Sequence, residues 1–257
     1  MSEKKSGKRA ESAAGPGAAA LPKRFYKDVA TKDEAAGTAL LLDGKTVRTP
    51  GKNRLILPNP ALAEAVAGEW RAQGERIDPG TMPFTKLANS AIDGLRGREA
   101  QAIDNILAHA GSDLLCYRAD GPESLVAAQA RHWDPVVAWA KTALEAPFVL
   151  TEGVMPVAQA KTSLDRIEAR LKHLDAFSLG ALHVMTTLTG SALLPLAVLL
   201  GKLSPEQAWK AAYVDEDWQI GQWGEDAEAA ARRENRRRGF EAAAKMLALV
   251  GQENSSP

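Results

Sequence analysis

The sequence predicts an α+β protein, with a small antiparallel β-containing N-terminal domain followed by a larger all-helical C-terminal domain. Three observations carry this. Two apolar runs flank Asp43-Gly44 in GTALLLDGKTVRTPGKNRLILP, and Asp-Gly between such runs is a strong short hairpin signal. From Asn59 onward, apolar residues return at the three-to-four spacing of an amphipathic helix. From about Arg98 the helical signals continue to about residue 250, interrupted only by the short LLCYR run.

A third apolar run, Arg54 to Leu57, follows a Pro50-Gly51 turn and completes a small sheet. Asn59 then caps a helix with Pro60 at its first position. Leu62, Val66 and Trp70 share one face of that helix, Glu64, Glu69 and Arg71 lie elsewhere, and Gly74 ends it. That spacing makes Trp70 a packing residue. A second short helix is expected over Phe84 to Ile92, after an Asp78-Pro79-Gly80 turn.

Helices are then expected at 98–110, 122–145, 159–173, 175–188, 191–200, 204–219 and 225–250. Their starts are marked by Pro122-Glu123 and by Ser204-Pro205-Glu206-Gln207, the latter with the spacing of a capping box. Asp134-Pro135 falls inside a helical run and marks a kink or a restart, so Trp133, Asp134 and Pro135 are taken as structural. The expected organisation is a disordered tail at 1–23, an α+β domain at 24–97, a helical domain at 98–251 and a second disordered tail at 252–257.

Composition narrows the function. Lys+Arg and Asp+Glu are 32 each among 257 residues, so no global charge favours nucleic acid or an anionic membrane. One cysteine, Cys116, excludes an intramolecular disulfide and multi-cysteine metal motifs; its LLCYR setting reads as core. The N-terminal lysines are followed by no apolar stretch, and Glu3 and Glu11 argue against an organelle presequence. A cytoplasmic protein is expected. Residues 176–201 carry no charge but contain Gly180, His183, Gly190 and Pro195. Two buried helices meeting near Thr189-Gly190-Ser191 explain them better than a membrane span.

Several apparent motifs fail. GPGAAA has no preceding strand, and DGKT has Ala39 where a phosphate loop needs its first glycine. The histidines at 109, 132, 173 and 183 lack metal-ligand spacing; His183 reads as a core histidine with a satisfied hydrogen bond. No cofactor or metal is expected.

The segment YVDEDWQIGQWGED, residues 213–226, stands apart. Adjacent helical residues lie about 100° apart, so Asp215, Glu216 and Asp217 fan out instead of converging. Their mutual repulsion costs helix stability, and no base at i±4 relieves it. Trp218 and Trp223 follow, the latter between Gly221 and Gly224. Both are candidate partner-binding residues, as interface anchors, against the reading of a plug at a helix junction; Trp223 between its glycines reads more as the corner that positions the acids. Beyond them RRENRRR places five arginines in seven residues. Glu228 and Glu234 stand four residues before Arg232 and Arg238, so part of that charge is answered on the same helix and no nucleic-acid partner is expected.

Taken in order, RFYKDV, LLLDGKTVRTP, EWRAQGERIDPGTMPFTKLANSAID, LLCYRAD, HWDP and DEDWQIGQWG resemble the ATP-twelve family of ATP synthase assembly chaperones over about residues 24–250. The resemblance implies a non-enzymatic bacterial chaperone. It would hold the unassembled α subunit of the F(1) sector until the β subunit takes its place, without a small-molecule substrate or membrane insertion. It places the functionally important acid at Glu216, flanked by Asp215 and Asp217. It also marks Trp70 as a position where a large aromatic matters. From the residues alone, an enzyme using Asp215, Glu216 or His183 as acid–base groups is the alternative.

Overall fold

The computed structural model describes residues 21–153 and 155–251; the two expected tails fall largely outside them. Residues 21–23, assigned to the first tail by composition, are already tied down. Ile77 N donates to Pro22 O (2.8 Å), and Lys23 bridges Arg76.

Strand β2 (Gly37–Leu42) is the centre of an antiparallel sheet. It pairs with β1 (Val29–Glu34), β3 (Lys45–Thr46) and β4 (Ile56–Leu57). Asp43 and Gly44 turn the chain from β2 to β3 with φ of 47° and 75°, the paired left-handed conformations that a tight hairpin requires. Strand β1 was not expected. Its sequence VATKDE has one strong apolar residue, because only part of one face is covered, by helix α1.

Helix α1 (Pro60–Arg71) begins as expected: Asn59 Oδ1 accepts from Leu62 N at 2.9 Å. Asn59 Nδ2 also donates to Leu249 O at 2.9 Å, tying this cap to the far end of the chain. The helix closes at Ala72, not Gly74. Helix α2 (Pro83–Ser90) has Met82 at its N-cap and no local side-chain cap. The missing acceptor comes from α1: Glu69 accepts from Phe84 N at 2.6 Å and from Thr85 N and Oγ1 at 2.8 and 2.7 Å. Glu69, expected to face away, is therefore partly buried, and burial raises its carboxyl above the usual range.

The rest is helical: α3 (Glu99–Gly111), α4 (Glu123–Ala143), α5 (Lys161–Leu171), α6 (Ala176–Thr189), α7 (Leu193–Leu199), α8 (Pro205–Ala212), α9 (Val214–Trp223) and α10 (Ala227–Gly251). Strands β5 (Tyr117–Arg118) and β6 (Thr151–Glu152) form a small parallel pair that was not expected. Pro135 neither ends nor restarts α4, which runs through it. Trp133 beside it is fully buried and donates Nε1–H to Ala211 O at 2.7 Å, while Asp134 accepts from Arg118 at 2.7 Å.

The uncharged run forms α6 and α7, joined at Gly190 with φ 68°. Thr186, Thr189 and Ser191 are buried there, while Thr187 faces outward. Among the described residues no helix is long and apolar enough to cross a membrane. The N-cap residue of α7, Ala192, offers no side-chain acceptor, and Ser191 Oγ before it accepts from Leu194 N at 3.1 Å, leaving the amides of Ala192 and Leu193. Asp113, 0% exposed, serves these: Oδ2 accepts from Ala192 N at 2.8 Å and Leu193 N at 3.0 Å, while Oδ1 accepts from Leu115 N at 3.1 Å. Nearby Cys116 is buried, and that burial pushes its thiol up to about 12. The main apolar core runs from Leu40 and Leu57 in the sheet to Phe240 and Leu247 in α10, and α10 packs against α1, α2 and α6.

Candidate partner-binding face on helix α9

The helix expected at 204–219 is two helices. Ser204 and Gln207 make the capping box that starts α8, but the chain breaks at Tyr213 (φ −114°, ψ 20°) and restarts. The cause is packing. The Tyr213 ring lies 4.1 Å from that of Trp209 with its hydroxyl directed to Leu188 O, and the guanidinium carbons of Arg233 and Arg236 sit 4.9 and 5.6 Å from the Tyr213 ring centre. Burial holds the Tyr213 hydroxyl above its usual range; Arg236 pulls it down and Glu216 pushes it up.

This break changes the electrostatics of the acids. Asp215, Glu216 and Asp217 occupy the first turn of a new helix, where the positive end of the helix dipole offsets part of their repulsion. The cost expected for a mid-helix cluster is therefore reduced. The three then separate by partner. Asp215 Oδ1 accepts from Gln129 Nε2 at 2.8 Å, and Gln129 itself accepts from Ala119 N. Asp217 pairs with Arg233 of α10, so relief comes from 16 residues away rather than from i±4. Glu216 is partly exposed and makes no side-chain hydrogen bond or ion pair among the described residues.

The tryptophans also differ. Trp218 is partly buried and donates Nε1–H to Ser124 Oγ at 3.0 Å. Trp223 lies 75% exposed, touching Trp218 edge-on at 5.7 Å between ring centres. It ends α9 before Gly224 (φ 87°) and does not plug the junction, which corrects that reading of its flanking glycines. Its exposure leaves it free as an interface anchor. Beside this face, a groove of about 550 Å³ has Val126, Gln129 and Leu150 in its lining, both apolar side chains being exposed.

The arginine run is engaged. Arg232 and Arg238 pair with Glu228 and Glu234 as expected, Arg237 with Glu241, and Arg233 with Asp217, while Arg236 donates to Leu188 O. Charges already matched in this way are poorly available to phosphates. His183 does not have the satisfied hydrogen bond expected of it. It is half-buried and its side chain has no partner among the described residues; burial, then the nearby His109, lowers its pKa. Acid–base use of Glu216 with His183 would need a shared cleft, and of five cavities of about 320 to 690 Å³ among the described residues none is lined by both. No group of three or more His, Cys, Asp or Glu among the described residues could hold a metal ion.

Sequence reasoning missed Gln129 and Ser124, which hold α9 in place. No spacing rule links Gln129 to Asp215, 86 positions away.

Comparison with known proteins extends the picture. Residues 23–141 match the model of the family described as ATP12 chaperone protein. The chain is 23% identical over 219 residues to the mitochondrial protein atp12 of Schizosaccharomyces pombe, spanning 80% of this chain and 75% of that one. The crystal structure of the Atu1473 protein of Agrobacterium tumefaciens superposes with a TM-score of 0.87 at 46% identity, over 90% of this chain and 87% of that one. Atp12 of Paracoccus denitrificans superposes with a TM-score of 0.84 at 42% identity, over 89% and 98%. An aspartate-to-lysine mutant of that protein superposes equally well. These structures extend the match across α9, beyond the family model's last residue. The chain belongs to the ATP12 chaperone protein family.

Proposed function

We propose that this protein is an assembly chaperone of the F-type ATP synthase catalytic sector, acting without a cofactor in the bacterial cytoplasm. It binds the unassembled α subunit and covers its interface until the β subunit replaces it. An unassembled subunit exposes apolar surface that drives aggregation, and a temporary cover must match that surface yet let go. A charged patch with few aromatic anchors meets both needs, because exposed charge contributes more to encounter and selection than to residence time.

One observation carries the assignment to α9: Glu216 is left unpaired between two acids that each have a partner, about two helical turns from exposed Trp223. Asp215, Asp217 and Trp218 hold the helix in place, while Glu216 and Trp223 face the client. The test is Glu216→Lys, assayed by capture of purified unassembled α subunit together with thermal unfolding. The expected result is loss of capture, at least tenfold in affinity, with an unchanged melting temperature. Normal capture by a folded Glu216→Lys protein sinks this role for α9.

A further inference from the structure

Remote from α9 in sequence, the N-terminal sheet carries a second, smaller apolar cluster. Tyr26, Leu42, Ile77 and Met82 are its buried members, and Val47 and Trp70 are packed against it half-buried. A groove of about 420 Å³ opens over it, with Phe25, Leu42, Val47 and Trp70 as an apolar wall and Lys45 and Arg48 as a basic rim.

Three features separate this groove from ordinary surface. Phe25 lies 72% exposed at its mouth, at the end of an edge-on aromatic series in which Phe25 meets Tyr26 at 5.4 Å and Tyr26 meets Trp70 at 5.5 Å. Trp70 Nε1–H is shielded from solvent and has no acceptor among the described residues, a costly state for a buried donor. The Tyr26 hydroxyl, by contrast, donates to Trp70 O at 2.7 Å. Finally, the rim charges are underused. Lys45 has no ion pair among the described residues, and Arg48 donates only to Lys52 O. Asp43 also borders the groove, but its Oδ1 is taken by the amides of Lys27 and Asp28 at 3.0 and 2.8 Å, which hold its carboxyl below the usual range.

We propose that this groove docks a segment of a partner protein in which a bulky apolar side chain lies beside carboxylates. The apolar side chain packs on Phe25 and Trp70, and the carboxylates face Lys45 and Arg48. The groove's basic rim is opposite in charge to Glu216 on α9, so the two sites would suit different stretches of a client. The proposal stands whether or not α9 contacts the α subunit.

The test uses the full chain labelled with ¹⁵N, whose six tryptophans give separate indole signals. Trp70→Phe keeps the packing, removes the donor and identifies the Trp70 signal by its disappearance. Three acetylated ten-residue peptides serve as probes: leucine flanked by aspartates, leucine flanked by lysines, and the acidic peptide with serine for leucine. The acidic leucine peptide should shift the Trp70 indole signal saturably and bind at least tenfold more tightly than the other two. Phe25→Ala and Lys45→Glu should each weaken it about tenfold while the other five indole signals stay in place. The absence of a saturable shift, an equal response to acidic and basic peptides, or full binding by Phe25→Ala would overturn the proposal.

Discussion

Asp113 and the α9 triplet use the same chemical group for opposite ends. Asp113 is wholly buried and accepts from three amides and the Ser191 hydroxyl, joining the Leu114–Cys116 turn to the start of α7. Glu69 does the same for α2. Both serve helices whose own N-cap residue, Ala192 or Met82, offers no acceptor. The α9 acids instead sit at the surface of a helix that also lacks a side-chain cap, with one partner each for two of them and none for the third. A carboxylate whose acceptor sites are filled by amides from elsewhere in the chain holds the fold; one left open at a helix start is available to something outside it.

The largest effect should come from breaking the first kind. Asp113→Ala strands two amides at the start of α7 and one at Leu115 in a dry site, at a cost of about 4 kcal/mol. Urea unfolding should show it as a lower midpoint with an unchanged slope. A loss below about 1 kcal/mol would mean that the α7 amides find other acceptors.

Next in size is Trp70→Arg. The indole packs on Tyr26 and against the small cluster beneath the sheet, so the change combines lost packing with a partly buried charge, roughly 3 kcal/mol in all. A fully stable Trp70→Arg protein would show that this residue serves only the groove above it.

The pH dependence of Asp113 offers a finer cut. Burial pushes its carboxyl from 3.8 up to about 6, against the pull of the Ser191 hydroxyl and the amides. Between those values the folded protein keeps a proton that the unfolded chain has lost, so this group's contribution falls as pH rises from about 4 to about 6 and is flat above. The fall is on the order of 3 kcal/mol. Asp93, lowered by Thr49, Asn53 and the Gly51 amide, has the opposite sign and loses its contribution only on acidification. Urea unfolding of the wild type and Asp113→Asn across pH 4 to 7 should give converging curves. Parallel curves would place the Asp113 titration outside this window.

How much of this could be read from the sequence depends on how far apart the partners lie. The Asp43-Gly44 hairpin, the Asn59 cap and the Ser204–Gln207 capping box are set within four residues, and the structure has each where local rules put it. The break at Tyr213 depends on an aromatic pair and on two arginines 20 and 23 positions later in the sequence, and helical periodicity carries no trace of it. Glu69 and Asp113 were invisible for the same reason, with one usable clue at α2: a helix start at Met82-Pro83 without Ser, Thr, Asp or Asn calls for an acceptor from elsewhere, whereas Ser191 beside Ala192 supplies a local acceptor for Leu194 N and hides the need for Asp113. On α9, spacing showed that the three acids diverge, but only the family resemblance singled out Glu216. The exposure of Trp223 ran against the local pattern, in which a tryptophan between glycines at a helix end reads as a plug at the corner.

The smallest effect tests the α9 side of the comparison most directly. Asp217 and Arg233 form its one ion pair among the described residues, and the Asp217 side chain is 49% exposed, so screening by water limits its worth. A double-mutant cycle with Asp217→Asn and Arg233→Ala should give a coupling of about 0.5 kcal/mol at low salt, fading in 1 M salt. Arg233→Ala also removes a cation above the Tyr213 ring, a contribution that the cycle separates because Asp217→Asn leaves it in place. A coupling near 2 kcal/mol that resists salt would mean that the α9 acids hold the fold as Asp113 does. The first turn of α9 would then be scaffold, and client contact would have to be carried by Trp223 and the Val126–Leu150 groove.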